Sequence, residues 1–303
     1  MSKYNVLVLG GTRFIGKLVV TKLIDSGHSV TVNSRKKIEW RDGLTQITGL
    51  RSNLKNREIS LDEFDFVLDF NAYSISDFLE IPEGCPKSSY IFISSQWVST
   101  IAKGKSELFS TTEIEYVDRK LLLEGAVREK FLAKARIIRL PVIVGDGDHH
   151  QRLNFLTNRI NLKSRLILPS RDLILDFAWV EDVANIILKA IEFDAEYGQI
   201  TRIQSSEPVT YRGLVEHISE ILFRKIEWVE VDPIRNQKNL LNFLKADAFW
   251  REEYLRSTVT NLGEALSYTD LPFERKFFAE KFLSFESKLF EIAIDEEAAF
   301  LNG

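Results

Sequence analysis

Three side chains along this sequence have the types and order that suit proton transfer to a carbonyl. Ser95 closes an apolar run, Ser89-Tyr-Ile-Phe-Ile93, that reads as a strand. Tyr116 and Lys120 lie in the segment from Glu113 to Phe131, which has helical periodicity, with Tyr116, Lys120, Leu123 and Val127 on one face. Reducing a carbonyl requires a proton on its oxygen. A tyrosine can supply one, although its unperturbed pKa is ~10. An ammonium one helical turn away stabilises the phenolate and brings that pKa toward working pH. A serine hydroxyl beside the same oxygen holds it in line. Tyr-x-x-x-Lys arises often by chance and paired serines at a strand end are commonplace, so the weight rests on the elements that precede them.

The chain opens on such an element. Val6-Leu-Val-Leu runs into Gly10 and Gly11, a third glycine follows at Gly16, and an amphipathic run continues to about Leu23. This pattern predicts a buried strand, a tight turn and a helix. Gly10 supplies dihedral freedom for the turn and Gly16 lets the helix approach the sheet. Gly10, Gly11, Thr12, Arg13, Phe14, Ile15 and Gly16 would then aim backbone N–H groups and the positive helix end at one point, which suits a pyrophosphate. The spacing G-G-x-x-x-x-G is not a strict G-x-G-x-x-G, and a glycine turn that binds nothing is the bland alternative. The next strand, Ser29–Val32, completes a βαβ unit of roughly thirty residues.

The second strand leads to Asn33-Ser34-Arg35-Lys36-Lys37, where a dinucleotide fold meets the adenosine ribose. No acid stands there to accept from a free 2′-hydroxyl. Arg35, with Arg13 from the glycine turn, suits a 2′-phosphate, so NADP(H) is the expected cofactor and NAD(H) the alternative. A solvated basic loop is the plainer reading. The strand Phe64–Phe70 ends at Asn71 and Ala72, and the Ser89–Ile93 strand ends at Ser94 and Ser95; both ends should line the cofactor crevice. With a nicotinamide there, Lys120 could also bond its ribose, and Gln96 and Trp97, which follow Ser95, are candidate substrate contacts.

These elements predict an α/β protein: a Rossmann-type doubly wound parallel sheet over residues 1–150, with a smaller C-terminal α+β substrate domain over 151–303. Segments near 174–192 are expected to return to the sheet domain. The 303 residues are 45% hydrophobic, ample for a core, and a net charge of −4 provides no global basic field for nucleic acid. The single Cys85 excludes an internal disulfide. No apolar run approaches the ~20 residues of a membrane span, and the first strand begins at once, so a cytoplasmic protein without a signal peptide is expected. His149 and His150 follow Asp146 and Asp148, but no spaced ligand set supports a metal there. The aromatic tail from Phe273 to Phe290 reads as a docking helix or dimer surface.

This combination resembles the extended or atypical branch of the short-chain dehydrogenase/reductases, the NAD-dependent epimerase/dehydratase family. The resemblance rests on Gly10-Gly-Thr-Arg-Phe-Ile-Gly16, Ile93-Ser-Ser95, Tyr116-x-x-x-Lys120, Arg139-Leu-Pro-Val-Ile-Val-Gly145, Val180-Glu-Asp-Val-Ala184 and Pro208-Val-Thr-Tyr-Arg-Gly-Leu214, and covers about residues 1–225. It implies Tyr116 as acid/base, Lys120 as its partner, Ser95 as donor to the substrate oxygen, a small-molecule substrate such as a nucleotide sugar, and homodimers through a helical bundle that includes the Tyr116 helix. Four departures bear on function. Arg13 stands where the family usually has glycine. Gln96 and Trp97 replace the Asp-Glu pair of the dehydratases, which argues against water elimination. Leu175 replaces a diphosphate-binding arginine, a role that Arg152 or Arg171 could take unless the substrate lacks a diphosphate. Leu50 replaces the adenine-binding aspartate. With Arg13 and Arg35 at the ribose position and the dehydratase carboxylates missing, the expected activity is an NADP-dependent reduction of a keto group on a nucleotide-linked deoxysugar, and the alternative is an epimerase that retains its NAD(P)+. The Gly-Gly-Thr-Arg-Phe start also resembles a group that includes plastid RNA-binding proteins, so a silent nucleotide- or RNA-binding module is the third expectation.

Overall fold

A computed structural model describes residues 3–37, 39, 43–98, 111–148, 152–162, 165–169, 174–175, 177–192, 200–203 and 209–231. The chain divides into two compact units. Among the described residues, the first takes those within Met1–Gly147 and Ala178–Gln204, and the second those within Asp148–Phe177 and Ser205–Leu266.

The first unit is built on strands β1 (Asn5–Leu9), β2 (Ser29–Ser34), β3 (Leu44–Thr48), β4 (Phe66–Asp69), β5 (Ser89–Ser95), β6 (Ala135–Leu140) and β11 (Ile200–Arg202). They form one seven-stranded sheet in the order β3-β2-β1-β4-β5-β6-β11, and every pairing is parallel; the short strands β7 (Val142–Val144) and β10 (Phe177–Trp179) lie outside it. This is the expected doubly wound Rossmann-type sheet. β4 and most of β1 and β5 are buried throughout, as strands covered on both faces must be. The strand order reverses between β1 and β4, the topological switch point where such sheets bind ligands.

Helices α1 (Phe14–Asp25), α2 (Ser52–Lys55), α3 (Ile75–Leu79), α4 (Thr111–Phe131) and α6 (Val180–Glu192) belong to this unit. Gly16, Val19, Val20 and Leu23 form the buried face of α1, and α1 packs on α6. On the other side of the sheet, Leu7, Leu9, Val67, Phe92 and Ile137 share a core with Leu123, Val127 and Phe131 of α4. Tyr90 stacks on Phe131 at 4.3 Å between centroids, and both meet Phe78 of α3 edge-on. The sequence reading missed α3. Its signal is a capping box, in which Ser74 and Asp77 each accept from the other's backbone N–H.

In the second unit, β8 (Arg165–Pro169) pairs in parallel with β13 (Glu227–Val231), and β9 (Ile174–Leu175) pairs antiparallel with β12 (Val209–Thr210). Helix α5 (Arg152–Leu162) packs on α7 (Tyr211–Ile221), and Arg224 donates to Asn161 at 2.9 Å. Among the described residues no helix is long and apolar enough to cross a membrane. His149, His150, Arg171 and the Phe273–Phe290 tail lie outside the described residues.

Candidate active site

The glycine turn connects β1 to α1 at the switch point. Gly10 has φ of +88°, and a Cβ built there would lie 2.6 Å from Cγ of Asn71. A side chain at Gly16 would meet the Gly10 carbonyl at 3.0 Å, and one at Gly11 would strike Val20 and Val8. All three glycines are therefore required by close packing, and Gly10 also by backbone conformation. Phe14 adopts φ of +43°, rare for an aromatic residue; strain of this kind concentrates at functional turns. Thr12, Phe14 and Ile15 are half-buried and Arg13 is exposed. The Gly10 N–H donates to Asn33 O at 3.1 Å, which ties the turn to the end of β2. The glycines thus let the turn, Asn71 and α1 pack closely, which sets the N-terminus of α1 at the switch point, where a fold of this kind holds a dinucleotide pyrophosphate.

Beyond β2, Arg35, Lys36 and Lys37 are exposed. Their loop is pinned from β3, where Gln46 Nε2 donates to Ser34 Oγ at 2.8 Å and to Lys36 O at 2.9 Å. Leu50, in the adenine position of the resemblance, is 58% exposed.

Lys120 is buried, and its Nζ donates to Ala72 O and Ile93 O, each at 3.1 Å. Ala72 lies just beyond β4 and Ile93 two residues before the end of β5, so the ammonium sits near the carboxyl ends of these two strands. It lies 4.7 Å from the Phe92 ring centroid and 5.2 Å from that of Tyr73. Tyr116, half-buried, is one turn earlier on the same helix. Burial, helped by the Arg51 charge, lowers the Lys120 pKa to about 8, against the opposing pull of Asp69, Glu124 and Asp77. The lysine therefore remains mostly charged at pH 7. Between pH 8 and 10.5 the unfolded chain holds a proton that the folded chain has released, so stability rises with pH across that window. The stability difference between wild type and Lys120→Met should move in favour of wild type by about 2 kcal/mol from pH 7.5 to 9.5. Urea denaturation of both proteins at the two pH values checks this, and a constant difference would mean that Lys120 titrates as an ordinary lysine.

The residues around β5 divide by exposure. Ser95 is half-buried, and its Oγ accepts from the Trp97 N–H at 3.2 Å; Trp97 is also half-buried. Ser94 is buried, with its hydroxyl donating to Glu124 Oε1 at 2.6 Å. Glu124 in turn is held by Arg139, through Nε at 3.0 Å and Nη2 at 2.6 Å. Gln96 is buried too; its backbone N–H donates to Leu140 O at 2.9 Å and its side-chain amide to Ile203 O. Gln96 thus fastens the ends of β6 and β11. Arg152 opens α5, and its side chain lies outside the described residues. Among the described residues no group of three or more His, Cys, Asp or Glu could hold a metal ion.

Sequence reasoning missed the buried ions that support this site. Asp69, fully buried at the end of β4, forms a fork with Arg51. An acid inside an apolar strand was the available signal, since a buried charge requires a partner. For Glu124 the signal was its position four residues after Lys120 on the inward part of α4.

Sheet order, glycine turn and lysine position define a Rossmann-type fold of the kind found in NAD-dependent epimerases and dehydratases. Solved structures agree with that fold. A candidate epimerase from Burkholderia cenocepacia J2315 superposes with a TM-score of 0.58 at 18% identity, over 84% of this chain and 98% of that one. UDP-N-acetylglucosamine 4-epimerase from Bacillus cereus gives 0.53 at 18% identity, over 89% and 99%. The Bordetella bronchiseptica enzyme WbmH in complex with NAD+ gives 0.53 at 16% identity, over 82% and 99%. Among curated proteins, the chain is similar to the chloroplast stem-loop binding protein of 41 kDa b from Arabidopsis thaliana, at 25% identity over 239 residues. That match takes in 71% of this chain and 62% of the relative's own length. No family model matches the chain.

Proposed function

We propose that the protein is an NADP-dependent oxidoreductase that reduces a keto group on a nucleotide-linked deoxysugar. The observation that carries this reading is the buried Lys120 ammonium, fixed by Ala72 O and Ile93 O one helical turn from Tyr116. The glycine turn, Asn71 and Ala72 would hold the dinucleotide, Lys120 its nicotinamide ribose, and Arg35 with Arg13 its 2′-phosphate. The dinucleotide, when bound, supplies the hydride. Tyr116 would donate its phenolic proton to the substrate oxygen, with Lys120 stabilising the phenolate left behind, and Ser95 would donate a hydrogen bond to the same oxygen. Trp97 would border the substrate. Leu121 and Leu122, 45% and 61% exposed on α4, support a homodimer formed through that helix.

Two further readings each have a specific support. The likeness to the Bacillus cereus epimerase favours an epimerase, which would use the same serine, tyrosine and lysine and recycle its cofactor. The Arabidopsis relative, by its name a stem-loop binder, favours an RNA-binding module, against which stands the net charge of −4. Calorimetric titration of the purified protein with NADPH and NADH separates the three. NADPH should bind at least about tenfold more tightly, and Arg35→Ala should abolish the difference. Preference for NADH, or a cofactor that cannot be stripped, favours the epimerase. Binding of neither, with salt-sensitive binding of RNA, favours the module.

A further inference from the structure

The proposed chemistry makes no use of Arg51, yet this side chain reaches the glycine turn through a single intermediary. It is 6% exposed, at the start of α2. Its Nη1 donates to Asp69 Oδ2 at 2.8 Å and its Nη2 to Asp69 Oδ1 at 2.5 Å. The same Nη2 also donates to Oδ1 of Asn71. Asp69 accepts in addition from the Tyr90 hydroxyl at 2.7 Å and from the backbone N–H groups of Asn71 and Ala72, each at 3.1 Å. Asn71 is thereby fixed at both its main chain and its side chain, against Gly10.

The polarity of this contact is chemically determined. A guanidinium has donors only, so the end of the Asn71 amide that meets Arg51 must be the oxygen. The opposite end, the NH2 group, is then left on the side of the turn; a Cβ built on Gly10 would lie 3.0 Å from Nδ2. Without the arginine either end of the amide could face the turn. A donor there attracts a phosphate oxygen, whereas an amide oxygen repels it. The Arg51 charge itself is spent on Asp69.

We propose that Arg51 is a positioning residue for the dinucleotide: by binding Asn71 Oδ1 it turns the amide NH2 toward the glycine turn, so that a phosphate-bearing ligand meets a donor. This rests on the dinucleotide reading above. The test is calorimetric titration of NADPH and NADH into wild type, Asn71→Ala, Arg51→Met and the double variant, each confirmed folded by circular dichroism. Asn71→Ala and Arg51→Met should each weaken the better-bound nucleotide about tenfold, and Arg51→Met should add almost nothing in the Asn71→Ala background. Additive losses, or an Arg51 variant with wild-type affinity, would overturn the proposal while leaving the dinucleotide reading intact. Wild type that binds neither nucleotide overturns both. Should Arg51→Met fail to fold, Arg51→Lys decides: it can still pair with Asp69 but lacks the fork that reaches Asn71, so affinity should fall several-fold, and unchanged affinity overturns the proposal.

Discussion

Tyr116→Phe is expected to lower the rate of carbonyl reduction by about 10²–10⁴-fold while leaving dinucleotide affinity within about twofold of wild type. The substitution removes one oxygen and keeps the ring, so the packing of α4 is preserved. In the proposed reaction the loss would be the proton for the substrate oxygen, which matters only as negative charge develops there. Lys120 makes the effect specific to pH. Its pKa of about 8 leaves the ammonium available at neutrality, and the Ala72 and Ile93 carbonyls keep it in place. The wild-type rate should therefore decline above about pH 8, as the charge that stabilises the phenolate is lost. Single-turnover oxidation of NADPH with a keto-sugar nucleotide that the wild type reduces, followed across pH 6–9.5, measures both effects. A Tyr116→Phe protein that retains more than about a tenth of the wild-type rate would remove the tyrosine from the chemistry.

Asp69→Ala is expected to destabilise the fold by about 3–5 kcal/mol, a large share of the 5–15 kcal/mol that typically holds a domain together. Asp69 accepts two bonds from Arg51, one from Tyr90 and two from backbone N–H groups, at a position with no exposure. Burial alone would raise the carboxyl pKa, but the adjacent guanidinium and the converging donors hold it below the usual carboxylate range. In the same way burial alone would lower the Arg51 pKa, and the carboxylate keeps it raised. Tyr90 is pushed well above its ordinary value by its own burial and by Asp69, so it remains a donor. Removing the carboxylate strands a buried cation and leaves the other donors without an acceptor. Arg51→Met combined with Asp69→Leu should cost less than Asp69→Ala alone, because the pair leaves together. Urea denaturation of the three proteins checks this, and a loss below about 1 kcal/mol for Asp69→Ala would show that water already reaches the pair.

The outline of the first unit was legible because each of its elements has a local signature. Val6–Leu9, Phe66–Leu68 and Tyr90–Ile93 are apolar without interruption, the mark of strands covered on both faces. Gly10, Gly11 and Gly16 announce a turn that has no room for Cβ atoms. Tyr116 and Lys120 declare a shared helical face through spacing alone. Helix α3 has a local signature too, in Ser74 and Asp77, but its five residues carry too little periodicity to announce a helix.

The sequence by itself determined the order of the main strands, the glycine turn with α1, and the presence of Ser95, Tyr116 and Lys120 in a strand and a helix of the doubly wound sheet. Only the tertiary structure decided which polar groups face inward. Ser94 and Ser95 are adjacent, yet one binds Glu124 in the interior and the other remains half-exposed, because successive strand residues point to opposite faces. Arg51 and Asp69 are eighteen residues apart and meet only when α2 folds against the end of β4. Gln96 reaches Ile203 across 107 positions. Local pattern arises from periodicity within one element and can be read along the chain. The partner of a buried charge or amide depends on which distant backbone the sheet order places beside it, and no local pattern contains that order.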